Sequence, residues 1–132
     1  MSGRQVERLI KLVYRKVLLP LISRDYVPKV RENVNKFLDY CISELPLQGT
    51  VLDIGPQHNS YSTKLFSKKF DYVTLDINPR SGADIIADVC KMPEVLDESF
   101  DVIICTEVLE HTLNPFSAVT ELHRILRGGT YW

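Results

Sequence analysis

Four short runs with the character of buried strands, Val51–Ile54, Tyr72–Leu75, Asp84–Ala87 and Phe100–Cys105, alternate with stretches that read as helices and turns. A run as apolar as Val102-Ile-Ile-Cys105 has to be covered on both faces, and helices returning between such runs make the strands parallel. An α/β parallel sheet follows. The first two strands also end in a particular way: Val51-Leu-Asp-Ile-Gly55 closes on an acid and then glycine, and Tyr72-Val-Thr-Leu-Asp76 closes on a carboxylate. Glycine at a strand tip lets a ligand approach the backbone, and an acid roughly 20 residues later can accept hydrogen bonds from ribose hydroxyls. Gly55 and Asp76 fit that spacing.

Around this core the elements follow from periodicity and punctuation. Val6, Leu9, Ile10, Val13 and Val17 repeat at helical spacing, so residues 3–19 are expected to form an amphipathic helix that stops at Pro20. A second helix is expected after Pro28, with Val30, Val34, Phe37, Leu38, Cys41, Ile42 and Leu45 on its apolar face and Pro46 and Gly49 closing it. After strand one (50–54), Asn59 or Ser60 can cap a helix that turns Leu65 and Phe66 inward and leaves Lys64, Lys68 and Lys69 in water. Strand two runs over 71–76, and a short third strand, 84–87, ends at Asp88. Following strand four, Thr106 is expected to cap a short helix over Glu107–Thr112. Asn114-Pro115 opens another, with Phe116, Val119, Leu122 and Leu126 as its inner stripe and Gly128-Gly129 as its stop. Thr130-Tyr131-Trp132 then supply the beginning of a fifth strand at most.

Composition narrows the class. At 132 residues and 45% hydrophobic the chain has the size of one domain, enough to bury about two-thirds of its unfolded surface. Cys41, Cys90 and Cys105 are odd in number, far apart and set in apolar contexts, so they read as reduced core thiols. No run of about 18 uncharged apolar residues is present, and the N-terminal cations interleave with apolar residues instead of preceding them as in a secretory signal. A soluble, cytoplasmic protein is expected. Residues 1–31 carry eight Lys/Arg against Glu7 and Asp25, whereas the remainder is acidic. Packing of the basic helix on the sheet domain is the expected use of its apolar stripe, contact with an anionic membrane surface the lesser alternative, and nucleic acid is not an expected partner.

The segment from about Thr50 to Gly129 resembles the first part of a class I S-adenosylmethionine-dependent methyltransferase. The resemblance rests on Val51-Leu-Asp-Ile-Gly55, Val73-Thr-Leu-Asp-Ile77, Ile85-Ile-Ala-Asp88 and Ser99-Phe-Asp-Val-Ile-Ile-Cys-Thr-Glu-Val-Leu-Glu-His111, followed by Glu121-Leu-His-Arg-Ile-Leu-Arg-Gly-Gly129. It implies a Rossmann-like methyltransferase fold with S-adenosyl-L-methionine as cofactor. Asp53, Gly55 and Gln57 would lie by the methionine part, Asp76 would take the ribose hydroxyls, and Ile77 would pack on adenine. Asp88 would accept from the adenine amino group with the Val89 N–H nearby, and Thr106 would line the floor after strand four.

Two departures from the family pattern shape the functional expectation. The turn reads Pro56-Gln57-His58-Asn59 where the family usually has further glycines, and the sequence stops soon after Gly129. The sheet is therefore expected to be incomplete, ordered 3-2-1-4, with flanking helices; residues 1–46 form an N-terminal helical extension and 47–132 a partial cofactor-binding domain. Strand four is expected as a raw edge, open to a second copy or a partner chain. The expected function is methyl transfer to an unknown small-molecule acceptor, or the cofactor-binding half of such an enzyme. The alternatives are a non-catalytic binding or oligomerisation module and, less favoured, a nicotinamide-type Rossmann domain. Glu107 and His111, at i and i+4, could share a helical face as a base or metal pair, but dipole capping is the preferred reading and no metal site is expected. No catalytic residue is assigned.

Overall fold

The computed structural model describes residues 19–45, 48–57 and 60–131. The chain divides into two compact units, Met1–Tyr40 and Cys41–Trp132. The elements in order are α1 (Leu19–Glu44), β1 (Thr50–Ile54), α2 (Tyr61–Phe66), β2 (Asp71–Asp76), β3 (Ile85–Ile86), β4 (Phe100–Ile104), a 3₁₀ turn (Leu109–His111), α3 (Pro115–Ile125) and β5 (Leu126–Tyr131).

The helix expected over 3–19 falls almost wholly outside the described residues. Its expected stop at Pro20 falls at the edge of the described residues, where Pro20 stands in the first turn of α1; Pro28 lies inside α1 instead of preceding it. Proline removes one helical N–H. Pro28 is exposed, so the carbonyl it leaves unpaired can be solvated while the turns on either side continue. Leu38 is buried as expected, but Phe37 is 59% exposed and drops out of the expected apolar face. Past the end of α1, Lys69 Nζ donates to the carbonyls of Ile42 and Leu45, satisfying acceptors that a helix C-terminus leaves without partners.

The sheet is parallel throughout and ordered β3-β2-β1-β4-β5. Burial follows the apolar pattern: Val51 and Leu52 in the central strand are fully covered, and Leu52, Ile54, Leu75, Met92, Ala118 and Ile125 meet in one core. Ser60 caps α2, its Oγ accepting from Thr63 N, and Asn114 caps α3, with Pro115 at the first helical position. Both starts are as expected from the sequence.

The expectation of a raw fourth edge is corrected. Helix α3 ends at Ile125, and Leu126 is already extended, with φ −81° and ψ 131°. Strand β5 therefore begins there, pairs with β4 through Phe100↔Leu126 and Val102↔Tyr131, and shifts register between them. Gly128 and Gly129 lie inside this irregular strand and not at a helix end; glycine in a strand interior commonly accompanies such a bulge. Arg127 adds an ion pair to Asp101 of β4 at 2.6 Å, and the same carboxylate oxygen accepts from Thr50 N at 2.8 Å, tying β5, β4 and β1 together. The edge of β4 is thus taken up by β5.

The inner stripe of α3 also differs. Ala118, Leu122 and Ile125 face the core, whereas Phe116 is 84% exposed and Val119 points outward with it. Residues 118, 122 and 125 are spaced by four and three, so they form the packed stripe. Residues 116 and 119 lie on another side of the cylinder. Arg124 completes the packing by donating to the carbonyls of Met92 and Val95 and to Asp97 and Glu121, which fastens the loop before β4 to α3.

Candidate functional site

In an open parallel sheet the ligand crevice lies beyond the carboxyl ends of the strands, where loops diverge to opposite faces. The chain has a cleft of about 270 Å³ there, lined by Ile54 and Gly55 after β1, Leu75, Asp76 and Ile77 at the end of β2, Ala87, Asp88, Val89 and Cys90 after β3, and Val108 with His111–Asn114 after β4. Among the residues singled out in the sequence, Gly55, Asp76, Ile77, Asp88 and Val89 come together here. Asp53, Gln57 and Thr106 do not line it.

Backbone geometry explains how these residues are presented. Gly55 has φ +63°, and a Cβ at that position would sit 3.2 Å from Val108 Cγ2, so a side chain there would be both strained and crowded. Its N–H donates to Leu75 O at 2.7 Å, which holds the tip of β1 against β2. Asp76 and Asp88 each form an Asx turn: Asp76 Oδ1 accepts from Asn78 N at 2.8 Å, and Asp88 Oδ1 accepts from Cys90 N at 2.9 Å. One oxygen of each carboxylate shapes its loop, and the other is not taken up by that turn. Ile77 stands 67% exposed at the cleft.

Asp53 has a different setting. It is only 2% exposed, and its Oδ2 accepts from both Ser62 Oγ and Tyr72 Oη at 2.5 Å. Burial pushes its pKa above the ordinary value, opposed by the two hydroxyl bonds. The Tyr72 phenol is pushed up to about 12, first by burial and then by its bond to Asp53. Cys105, at the tip of β4, is pushed up to about 11 by burial first and then by the negative charges of Glu110 and Asp53, so it is a poor nucleophile at neutral pH.

The segment after β4 departs from expectation. Thr106 does not cap a helix; the only helical residues are the 3₁₀ turn Leu109–His111, and its start has no side-chain cap. Glu107 lies outside that turn with φ +56°, so Glu107 and His111 do not share a helical face. Among the described residues no group of three or more His, Cys, Asp or Glu is placed to hold a metal ion. His58 lies outside the described residues. Sequence reasoning passed over the loop from Thr112 to Asn114 as a cleft wall. Its one legible signal is the Asn114-Pro115 helix start, which puts the preceding residues at the carboxyl end of the sheet.

The geometry has counterparts among solved structures. A candidate methyltransferase of Bacillus halodurans C-125 is similar at 26% identity and a TM-score of 0.57, over 69% of this chain and 41% of that one. A candidate S-adenosyl-L-methionine-dependent methyltransferase of Methanococcus maripaludis matches at 19% identity and a TM-score of 0.56, over 85% and 57%. An S-adenosylmethionine-dependent methyltransferase of Thermotoga maritima, named as a candidate histamine N-methyltransferase, matches at 21% and 0.55, over 84% and 58%. The chain thus spans between 41% and 58% of the length of these relatives. Among curated proteins no match is found. The sequence model of the family described as a methyltransferase domain matches residues 24–132, most of the chain, and with the parallel 3-2-1-4-5 sheet this places the protein in the methyltransferase-domain family.

Proposed function

We propose that this chain binds S-adenosyl-L-methionine and serves methyl transfer to a small-molecule acceptor. The observation that carries the reading is the convergence of Gly55, Asp76, Ile77, Asp88 and Val89 on one cleft at the carboxyl ends of three parallel strands. The residues suit the cofactor chemically. Asp76 has an oxygen left for a pair of ribose hydroxyls, exposed Ile77 offers an apolar surface to a purine, and Asp88 can accept from an exocyclic amine. Gly55 has no side chain at the tip of β1, where Val108 stands close, so the cleft is bordered there by backbone.

The bound cofactor would supply an electrophilic methyl group on a sulfonium. The contribution of the chain is to bind, orient and exclude water, because an in-line displacement gains most from positioning. Gly55, at the tip of β1, borders the cleft together with Ile54. His111 lines the far wall and is exposed, a position from which an imidazole can take a proton from an oxygen or nitrogen acceptor.

Calorimetric titration of the full chain with S-adenosylmethionine and S-adenosylhomocysteine tests the reading. Binding is expected with both, and Asp76→Ala is expected to weaken it by roughly 10- to 100-fold, the range for a hydrogen bond to a charged group. Absence of heat with either compound in the unaltered chain would overturn the proposal in favour of a non-catalytic module.

A further inference from the structure

The turn after β1 lacks the extra glycines that usually let a backbone wrap a ligand, and a second set of contacts takes over its support. Ser60 N donates to Gln57 O at 2.9 Å, which ties the end of the turn to its start. Ser60 Oγ accepts from Thr63 N and lies 2.8 Å from both Ser62 Oγ and Thr63 Oγ1. Ser62 Oγ donates to Asp53, Tyr72 Oη donates to the same oxygen, and Tyr72 Oη lies 3.1 Å from Thr63 Oγ1. One connected set of hydroxyls therefore joins the first turn of α2 to β1 and β2 through a single buried carboxylate.

Both donors converge on Oδ2, so the orientation of the Asp53 carboxylate is fixed by Ser62 and Tyr72. Asp53 lies two residues before Gly55, and Gly55 borders the cleft. In the sheet order, β1 stands between the β2–β3 tips and the wall supplied by Val108 and His111. A nucleoside held at Asp76 and Asp88 consequently directs whatever it carries on its ribose 5′ carbon across the tip of β1.

We propose that Ser62 and Tyr72 are positioning residues for the amino-acid end of the ligand, acting through Asp53 and the Gly55–Gln57 turn, while the nucleoside end is held independently by β2 and β3. The inference rests on the cofactor reading above. It separates two kinds of contact within one ligand: the adenosine part meets residues that do not touch the hydroxyl set, and the amino-acid part meets a turn whose support runs through the buried Asp53 carboxylate and that set.

The test is calorimetric titration of the full chain and of Tyr72→Phe and Ser62→Ala with two ligands, S-adenosylhomocysteine and 5′-methylthioadenosine, which keeps the adenosine and sulfur and lacks the amino-acid end. Each variant is expected to weaken S-adenosylhomocysteine by roughly tenfold, the size of one hydrogen bond to a charged group, and to leave methylthioadenosine within about twofold. Equal loss for both ligands would overturn the inference, since it would mean general damage to the cleft; so would no loss for either. Ser62→Ala decides the matter should Tyr72→Phe fail to fold. Were the unaltered chain to bind methylthioadenosine but not S-adenosylhomocysteine, the nucleoside site would stand and this inference would fall. Binding of neither would remove both readings.

Discussion

Asp53 near the end of β1 and Asp76 at the end of β2 both close an apolar parallel strand, yet their surroundings contrast. In the pairing register Asp53 stands opposite Thr74, two residues deeper than Asp76, a displacement of about 6–7 Å along a strand. That short distance separates a carboxylate that is 2% exposed and held by two hydroxyls from one that lies on a cleft and shapes a turn with one oxygen. Depth in the sheet decides which strand-end acid organises the protein and which can meet a ligand. Two aspartates that look equivalent in the sequence therefore have different physical tasks.

The largest expected effect separates them by stability. Asp53→Ala leaves the Ser62 and Tyr72 hydroxyls without their acceptor in a covered site and is expected to cost about 2 kcal/mol. Asp76→Ala, which gives up one exposed turn bond, is expected to cost less than about 1 kcal/mol. Urea denaturation of both variants measures the difference; equal costs would erase the distinction drawn from depth.

Acidity gives the same comparison a sign. The native pKa of Asp53 is raised above its ordinary 3.8 by burial. Between that ordinary value and the raised one the native state holds the proton more firmly than the unfolded chain, so this contribution to stability falls as pH rises through the window. Asp84 runs the other way: its pKa is lowered by hydrogen bonds from the Thr74 hydroxyl and Thr74 N, so its contribution is present above 3.8 and is lost as pH falls through its native value. Urea midpoints measured across the acid range are expected to show the advantage of wild type over Asp53→Asn shrinking with rising pH, and its advantage over Asp84→Asn growing. A pH-independent gap in the Asp53 pair would contradict the buried, hydroxyl-bound setting.

The contrast also marks what the sequence discloses. The strands were legible because each is a short apolar run bounded by turn residues, and Ser60 and Asn114 were legible caps because both precede helical periodicity with the right side chain. Gly55, Asp76 and Asp88 could be placed at the cleft because the carboxyl end of a parallel strand is where ligand loops lie. The partners of Asp53 were not legible: Ser62 and Tyr72 are ordinary hydroxyl residues 9 and 19 positions away, and no local pattern distinguishes them from surface serines and tyrosines. Strand β5 is legible only as a beginning at Thr130–Trp132 because Gly128-Gly129 is a standard helix stop, whereas here the helix gives way three residues earlier to a strand that tolerates both glycines. Phe116 was assigned to the core on hydrophobicity, although the packed stripe is set by the rotation of α3.

The smallest expected effect tests whether strain is placed at the site or merely tolerated. Glu107 and Glu98 are the two non-glycine residues with positive φ among the described residues, at +56° and +51°. Both are exposed, so replacing either removes little packing. Strain in this backbone region is worth about 1 kcal/mol or more, and the greater chain entropy of glycine offsets roughly half of that. Glu107→Gly and Glu98→Gly are each expected to stabilise the fold by about 0.5 kcal/mol, a rise of about 2 °C in Tm. Their effects on ligand binding should differ. Glu107 precedes Val108, whose Cγ2 stands close to Gly55 at the cleft, whereas Glu98 lies beside α3 with its N–H on Arg124 O. A glycine at 107 lets the Val108 wall move, so S-adenosylhomocysteine is expected to bind a few-fold more weakly to Glu107→Gly and unchanged to Glu98→Gly. Equal binding by the two variants would mean that the positive φ at Glu107 serves the path of the chain and not the shape of the cleft.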